Sequence, residues 1–140
     1  MNKYSLDLKW NASSDLHYVW RLANGSIMEA LDEEGNPTRA FMDPEEAFIA
    51  SIASCHLLSF VAEAARSGYS VESYHDHPVA ALDKNRQSRL YVARMLMQPR
   101  ATFSGSQPSD EEIEHFHSKA REKCFISNSV LTDVKVEPQL

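Results

Sequence analysis

Residues 47–65 constrain the fold more than any other stretch of the chain. Ala, Ile, Leu, Phe and Val recur nearly all round a helical wheel there, not along one stripe. A helix of that kind has no solvent face and belongs at the centre of a structure. Its start is marked. Asp43 is a candidate N-cap, Pro44 suits the first helical turn, and Glu46 stands three residues after the cap. Acidic residues at that end also favour the helix dipole. Gly68 supplies a stop. Ser51, Ser54, His56, Ser59 and Glu63 interrupt the apolar run. A membrane span needs roughly 20 mostly apolar residues, so a buried core helix is predicted instead. One small sheet cannot cover such a helix on every side, which predicts an obligate homodimer.

Around this helix the pattern has period two. Tyr4, Leu6, Leu8 and Trp10 share one face, as do Tyr18, Trp20 and Leu22. Asn24-Gly25 predicts a tight reversal into residues 26–31, and 32–42, with Gly35 and Pro37, reads as a polar loop. Two long strands are predicted over 70–81 and 88–103, joined by residues 83–87. The second sets Leu90, Val92 and Leu96 against Tyr91, Ala93, Met95 and Met97. A second helix is predicted from Ser109, with Glu112 completing a capping box. A last strand should turn Val130, Thr132, Val134 and Val136 inward. The order βββ-α-ββ-α-β lacks the strict alternation of a doubly wound sheet, so the class is α+β, in a single domain spanning 1–140.

Composition excludes some functions. The net charge of −6 argues against nucleic acid and anionic membranes as partners. The first ten residues alternate polar and apolar and carry no signal-peptide pattern, so the protein is expected in the cytoplasm. No Cys-x-x-Cys, His-Glu-x-x-His or Gly-rich phosphate loop occurs, and neither a metal nor a cofactor is expected.

Cys55 and Cys124 are the only cysteines, 69 residues apart. Cys55 lies inside the apolar helix and Cys124 follows the second helix. The cytosol keeps thiols reduced, so the pair is no structural staple. Two thiols that meet can cycle between dithiol and disulfide, as in a thiol peroxidase or a redox sensor. A thiol ionises near pH 8.5 and needs a positive neighbour to react at neutral pH. Cys55 lies too far along its helix for the N-terminal dipole to help. The cation must therefore come from elsewhere in the fold, and a carboxylate can hold it through a bidentate pair. Glu45 is the candidate carboxylate. It lies roughly 15 Å from Cys55 along one helix, so the two share a site only across a dimer interface or through a bridging arginine. Cys124, at a helix C-terminus, is opposed by the dipole as a thiolate.

These residues resemble the OsmC/Ohr family of peroxide-reducing and osmotically inducible proteins. The resemblance rests on Asp-Pro-Glu-Glu-Ala-Phe at 43–48, Ala-Ser-Cys-His at 53–56, Cys-Phe-Ile-Ser-Asn-Ser-Val at 124–130, and the element order. It covers nearly the whole chain, and the details look most like an OsmC-like branch. It implies an OsmC-like fold, an intertwined homodimer with central helices packed against sheets. It also implies reduction of organic hydroperoxides by Cys55 in peroxide stress defence. Cys124 would be the resolving thiol, and an external dithiol of lipoyl type the reductant. The family also places an arginine near the reactive cysteine. The arginine expected before Trp20 is missing, where the chain reads Ser-Asp-Leu-His-Tyr-Val. Arg21 and Arg39 are the candidates. A second reading is a non-catalytic stress protein that keeps the fold and binds a hydrophobic ligand.

Overall fold

The computed structural model describes residues 3–9, 19–28, 34 and 43–140. Two compact units form, residues 1–44 and 45–140. The first carries an antiparallel sheet of β1 (Leu6–Lys9), β2 (Val19–Leu22) and β3 (Ile27–Met28). The predicted reversal is present at Asn24-Gly25. Gly25 has φ 89°, its N–H donates to the Leu22 carbonyl, and the Asn24 side chain accepts from the Ser26 N–H. The predicted polar loop falls almost wholly outside the described residues.

The second unit begins with α1 (Pro44–Arg66). The helix closes where Gly68 was predicted to stop it. Gly68 adopts φ 85°, and the N–H groups of Gly68 and Tyr69 cap the carbonyls of Ala65 and Ala64. By length and composition α1 could cross a membrane. It acts here as a core helix, burying Ile52, His56, Phe60 and Ala64. The rest of its apolar surface is less covered than the wheel predicts: Leu58 stays 71% exposed and Val61 38%.

The two long strands of the prediction are four. β4 (Ser70–His75) and β5 (Val79–Lys84) are separated at Pro78, and β6 (Leu90–Met97) and β7 (Arg100–Ser104) at Pro99. Proline has no N–H for a ladder, so each long strand breaks at its proline. The Asp76 carboxylate accepts from the Gln98 N–H across the two breaks. The halves join different sheets: β4 pairs with β7, while β6 lies between β5 and the parallel β8 (Asp133–Val136). The predicted alternation in β6 holds, with Ala93, Met95 and Met97 buried. Val134 and Thr132 are buried beside it, and the Thr132 hydroxyl donates to the Val92 carbonyl.

The predicted capping box starts α2 (Asp110–Lys123). Ser109 accepts from the Glu112 N–H, and Glu112 accepts from the Ser109 N–H. Two apolar clusters then hold the unit. Phe60, Ala64, Phe103, Phe116 and Ala120 form one; Ile52, Met95, Met97 and Val134 form the other. Burying a side chain such as Phe60 is worth about 2–3 kcal/mol.

Candidate active site

Cys55 sits midway along α1 and Cys124 caps the C-terminus of α2. The fold brings these two distant residues near enough to perturb one another's titration, as free thiols that are not at disulfide distance. Their exposure differs. Cys55 is half-buried, whereas Cys124 has no exposed surface.

The chain reverses sharply after Cys124 through Phe125 and Ile126 into a 3-10 helix, Ser127–Ser129. That reversal is pinned by the Asn128 amide on the Glu122 carbonyl and the Ser129 hydroxyl on the Phe125 carbonyl. Its N–H groups turn back on the sulfurs. Ser127 N–H donates to Cys124 Sγ at 3.4 Å, and the Ser127 hydroxyl, with no other partner, is buried beside it. The N–H groups of Ile126 and Phe125 also act on Cys55.

The two thiols therefore titrate as a pair. Burial pushes the Cys55 thiol up, and its hydrogen bond to Cys124 adds to this, against the pull of the Ile126 and Phe125 N–H groups. Burial also pushes on Cys124. There the hydrogen bonds from the Cys55 thiol, Ser127 and Ile126 outweigh it and bring the thiol down. The helix dipole alone predicts the opposite for Cys124. The turn places N–H donors beyond the helix end, where the dipole argument counts only carbonyls.

α1 and α2 are tied at two further points. Glu63 bridges Lys123 at 2.6 Å and also pairs with Arg66. The Lys123 hydrogen bond, helped by Arg66, holds the Glu63 carboxyl below its usual range against the effect of burial. The second tie is a histidine pair. His56 and His117 are 0% and 3% exposed, with Nε2 and Nδ1 2.9 Å apart and ring planes 3° apart. The His117 ring also stacks on Phe60 at 4.1 Å. Burial holds both imidazoles neutral, at about 4 for His56 and about 3 for His117. The Arg121 charge adds to the effect at His56, and His56 adds to it at His117.

The other predicted site residues are placed one by one, within their own units or outside the described residues. Glu45 is exposed at the start of α1, ten residues before Cys55 on the same helix. Arg21 is exposed on β2, in register opposite Asp7 on β1. Arg39 lies outside the described residues. Among the described residues no group of three or more His, Cys, Asp or Glu converges as metal ligands.

Sequence reasoning missed His56, His117 and Ser127. The available signal was position. His56 lies four residues from both Ile52 and Phe60, and His117 lies three before Ala120, so each histidine sits on the apolar stripe of its helix.

Three large apolar side chains stay exposed on or near these elements in sequence, Leu58 of α1 at 71%, Phe125 of the reversal at 79% and Leu131 beyond it at 93%. Leu58 and Phe125 line a cleft of about 550 Å³ together with Ala62, Glu63, Lys123 and Asn128.

The family described as OsmC-like protein matches residues 35–139. No curated protein matches. Among solved structures, an OsmC-like protein of unknown function from Vibrio cholerae is 35% identical, with 99% of this chain and 100% of that one covered and a TM-score of 0.84. An organic hydroperoxide resistance protein OsmC from Legionella pneumophila is 19% identical, with both chains covered in full and a TM-score of 0.71. The organic hydroperoxide resistance protein OhrB of Bacillus subtilis is 14% identical, with 99% and 98% covered and a TM-score of 0.66. These last two share the fold. The α+β architecture, the paired thiols and the match over three-quarters of its length place this chain in the OsmC-like protein family.

Proposed function

We propose that the protein reduces organic hydroperoxides in peroxide stress defence through Cys55 and Cys124. The observation that carries this reading is the coupling of the two thiols beside the N–H groups of residues 125–127. The difference in access supports the division of roles. Cys55 is the half-buried thiol that a peroxide reaches, and Cys124 is sealed. The Cys55 thiolate attacks the distal peroxide oxygen, the O–O bond breaks, and the alkoxide leaves as an alcohol after taking a proton. Cys55 becomes a sulfenic acid. The Cys124 thiolate attacks that sulfur, the S–O bond breaks, hydroxide leaves as water after taking a proton from solvent, and a disulfide forms. An external dithiol, of lipoyl type by family resemblance, reduces it by exchange. The names of the Legionella and Bacillus relatives support the choice of organic hydroperoxides.

Within one chain, burial disfavours the Cys55 thiolate. The proposal therefore assigns a cation to it, Arg39 or Arg21, oriented by Glu45 of a second copy. Replacing the operative arginine by alanine is expected to raise the Cys55 pKa and slow peroxide attack with little loss of fold. The pH dependence of thiol alkylation in each variant measures this. An unmoved thiol pKa in both would remove the charge-activated site.

The reading includes a homodimer in the cytoplasm, with residues 1–140 acting as one domain. The uncovered apolar side of α1 and the exposed Phe125 and Leu131 support a second copy as cover. Analytical ultracentrifugation at micromolar concentration is expected to give a dimer, and a folded monomer there would refute it. The second reading, a non-catalytic protein binding a hydrophobic ligand, draws on the cleft lined by Leu58 and Phe125. A single-turnover reaction with tert-butyl hydroperoxide separates the two. The peroxidase loses two thiols per chain; the binding protein loses none.

A further inference from the structure

We propose that the buried hydrogen bond between His56 and His117 is a positioning element for disulfide closure, holding α1 and α2 in the register that sets Cys55 against Cys124. This rests on the reading in which these two cysteines form a disulfide.

The placement is direct. His56 is the residue after Cys55. His117 stands seven residues, close to two full turns, before Cys124, so both project from nearly the same side of α2. The imidazole link thus joins the same two helices as the thiols, from the same side of α2 and from a position about 100° round α1 from Cys55. One side of the link is apolar: Phe60 stacks on His117, and Ile52 and Ala120 are buried along the same stripes, while Glu114, Ser118 and Arg121 border His117 on the other. Apolar contacts of that kind tolerate sliding. A hydrogen bond between two rings fixed by packing does not, because its geometry is narrow in both distance and angle. Closure of a disulfide has a comparable tolerance, with an S–S length of about 2.05 Å and a restricted dihedral.

The tautomer follows from what each nitrogen meets. His56 Nδ1 is buried without a partner. If His117 donated, His56 would accept at Nε2 and carry its proton on Nδ1, an orphaned buried N–H. If His56 donates, its Nδ1 is only an unused lone pair. Buried orphaned donors are the rarer fault. His56 Nε2–H therefore donates to His117 Nδ1. His117 then carries its own proton on Nε2, and this ring lines a cleft of about 340 Å³ with Ser118 and Arg121. Both rings being held neutral, the link persists throughout the pH range in which thiols react.

This assignment sets a discriminating test with side-chain amides. Glutamine places its amide nitrogen near the position of histidine Nε2, and asparagine places its oxygen near that of Nδ1. His56→Gln and His117→Asn therefore keep a donor and an acceptor where the link needs them. His56→Asn and His117→Gln put the same groups in the wrong place. All four are neutral and polar, so a merely structural loss would affect each pair alike.

Two rates are read on the full-length protein. One is sulfenic acid formation at Cys55 with tert-butyl hydroperoxide. The other is intrachain closure from a Cys55–glutathione mixed disulfide, in which Cys124 displaces glutathione without any peroxide. The misplaced pair is expected to close about tenfold more slowly or worse, with sulfenic acid formation within about twofold of wild type. The matched pair is expected to close within about threefold of wild type. Equal closure rates in the matched and misplaced pairs would overturn the proposal, as would normal closure in all four. If a misplaced variant fails to fold, imidazole ¹⁵N shifts of the wild type decide. A proton on His56 Nδ1 would contradict the link as drawn, and a bare Nδ1 with protonated Nε2 on both rings supports it. If the peroxidase reading is wrong, wild type forms no sulfenic acid while glutathione closure still reports on the histidines.

Discussion

Acidification from pH 6.5 to 4.5 is expected to destabilise the protein by on the order of 1 kcal/mol per pH unit for each of His56 and His117. Both imidazoles are neutral in the folded protein, held at about 4 and about 3 chiefly by burial. An unfolded histidine takes up a proton near pH 6.5. Between those values the unfolded chain binds more protons than the folded one, so stability rises with pH across the window and is lost as pH falls through it. Below the folded values the slope levels off. Several kcal/mol is a large share of the 5–15 kcal/mol that holds a typical domain together. Glu63, Asp83 and Glu112 also titrate below their ordinary values in the folded protein, but their contribution is lost below the unfolded carboxylate range, at lower pH. Urea midpoints at pH 7, 6, 5 and 4.5 measure the effect. The double variant His56→Gln/His117→Asn should lose the slope between pH 6.5 and 4.5. The same slope in wild type and variant would mean that the pair is not buried and neutral.

The second large effect concerns Cys124. Cys124→Ser removes the attacking sulfur but leaves a small polar group at the same place. Under the proposed reaction, peroxide still oxidises Cys55, and the sulfenic acid has no internal thiol to meet. It is expected to persist long enough to trap, then to advance to sulfinic acid under excess peroxide. Multiple turnover with a dithiol should fall by about a hundredfold or more, the scale expected when a reacting group is lost from its partner. Cys55→Ser should consume no peroxide. Unchanged turnover in Cys124→Ser would exclude it as the resolving thiol.

Much of this fold was legible because its boundaries have local causes. α1 starts at Pro44 with Glu45 and Glu46 in its first turn and closes before Gly68, and Ser109 with Glu112 caps α2, boundaries set by groups adjacent in sequence. The division of the long strands was less visible. Residues 70–81 and 88–103 keep a period of two across Pro78 and Pro99, and periodicity alone does not register a missing N–H. The cysteines stand out by rarity. Their electrostatics do not, because the donors come from a reversal at residues 125–127 that no helix-dipole argument contains. The histidines were hidden for another reason. Each lies on an apolar stripe, and only tertiary packing decides that one stripe meets the other. The arginine partner has no local signature, because a guanidinium that serves a thiol on another element is set by tertiary and quaternary packing. Arg21 is exposed on β2, Arg39 lies outside the described residues, and the proposed site takes Glu45 from a second copy.

The central claim is that Cys55 and Cys124 form one redox unit. Peptide mapping by mass spectrometry after one equivalent of tert-butyl hydroperoxide tests it most directly. The account predicts a single intrachain Cys55–Cys124 disulfide, two thiols lost per chain, and recovery of both by a dithiol. Two free thiols after stoichiometric peroxide would contradict it.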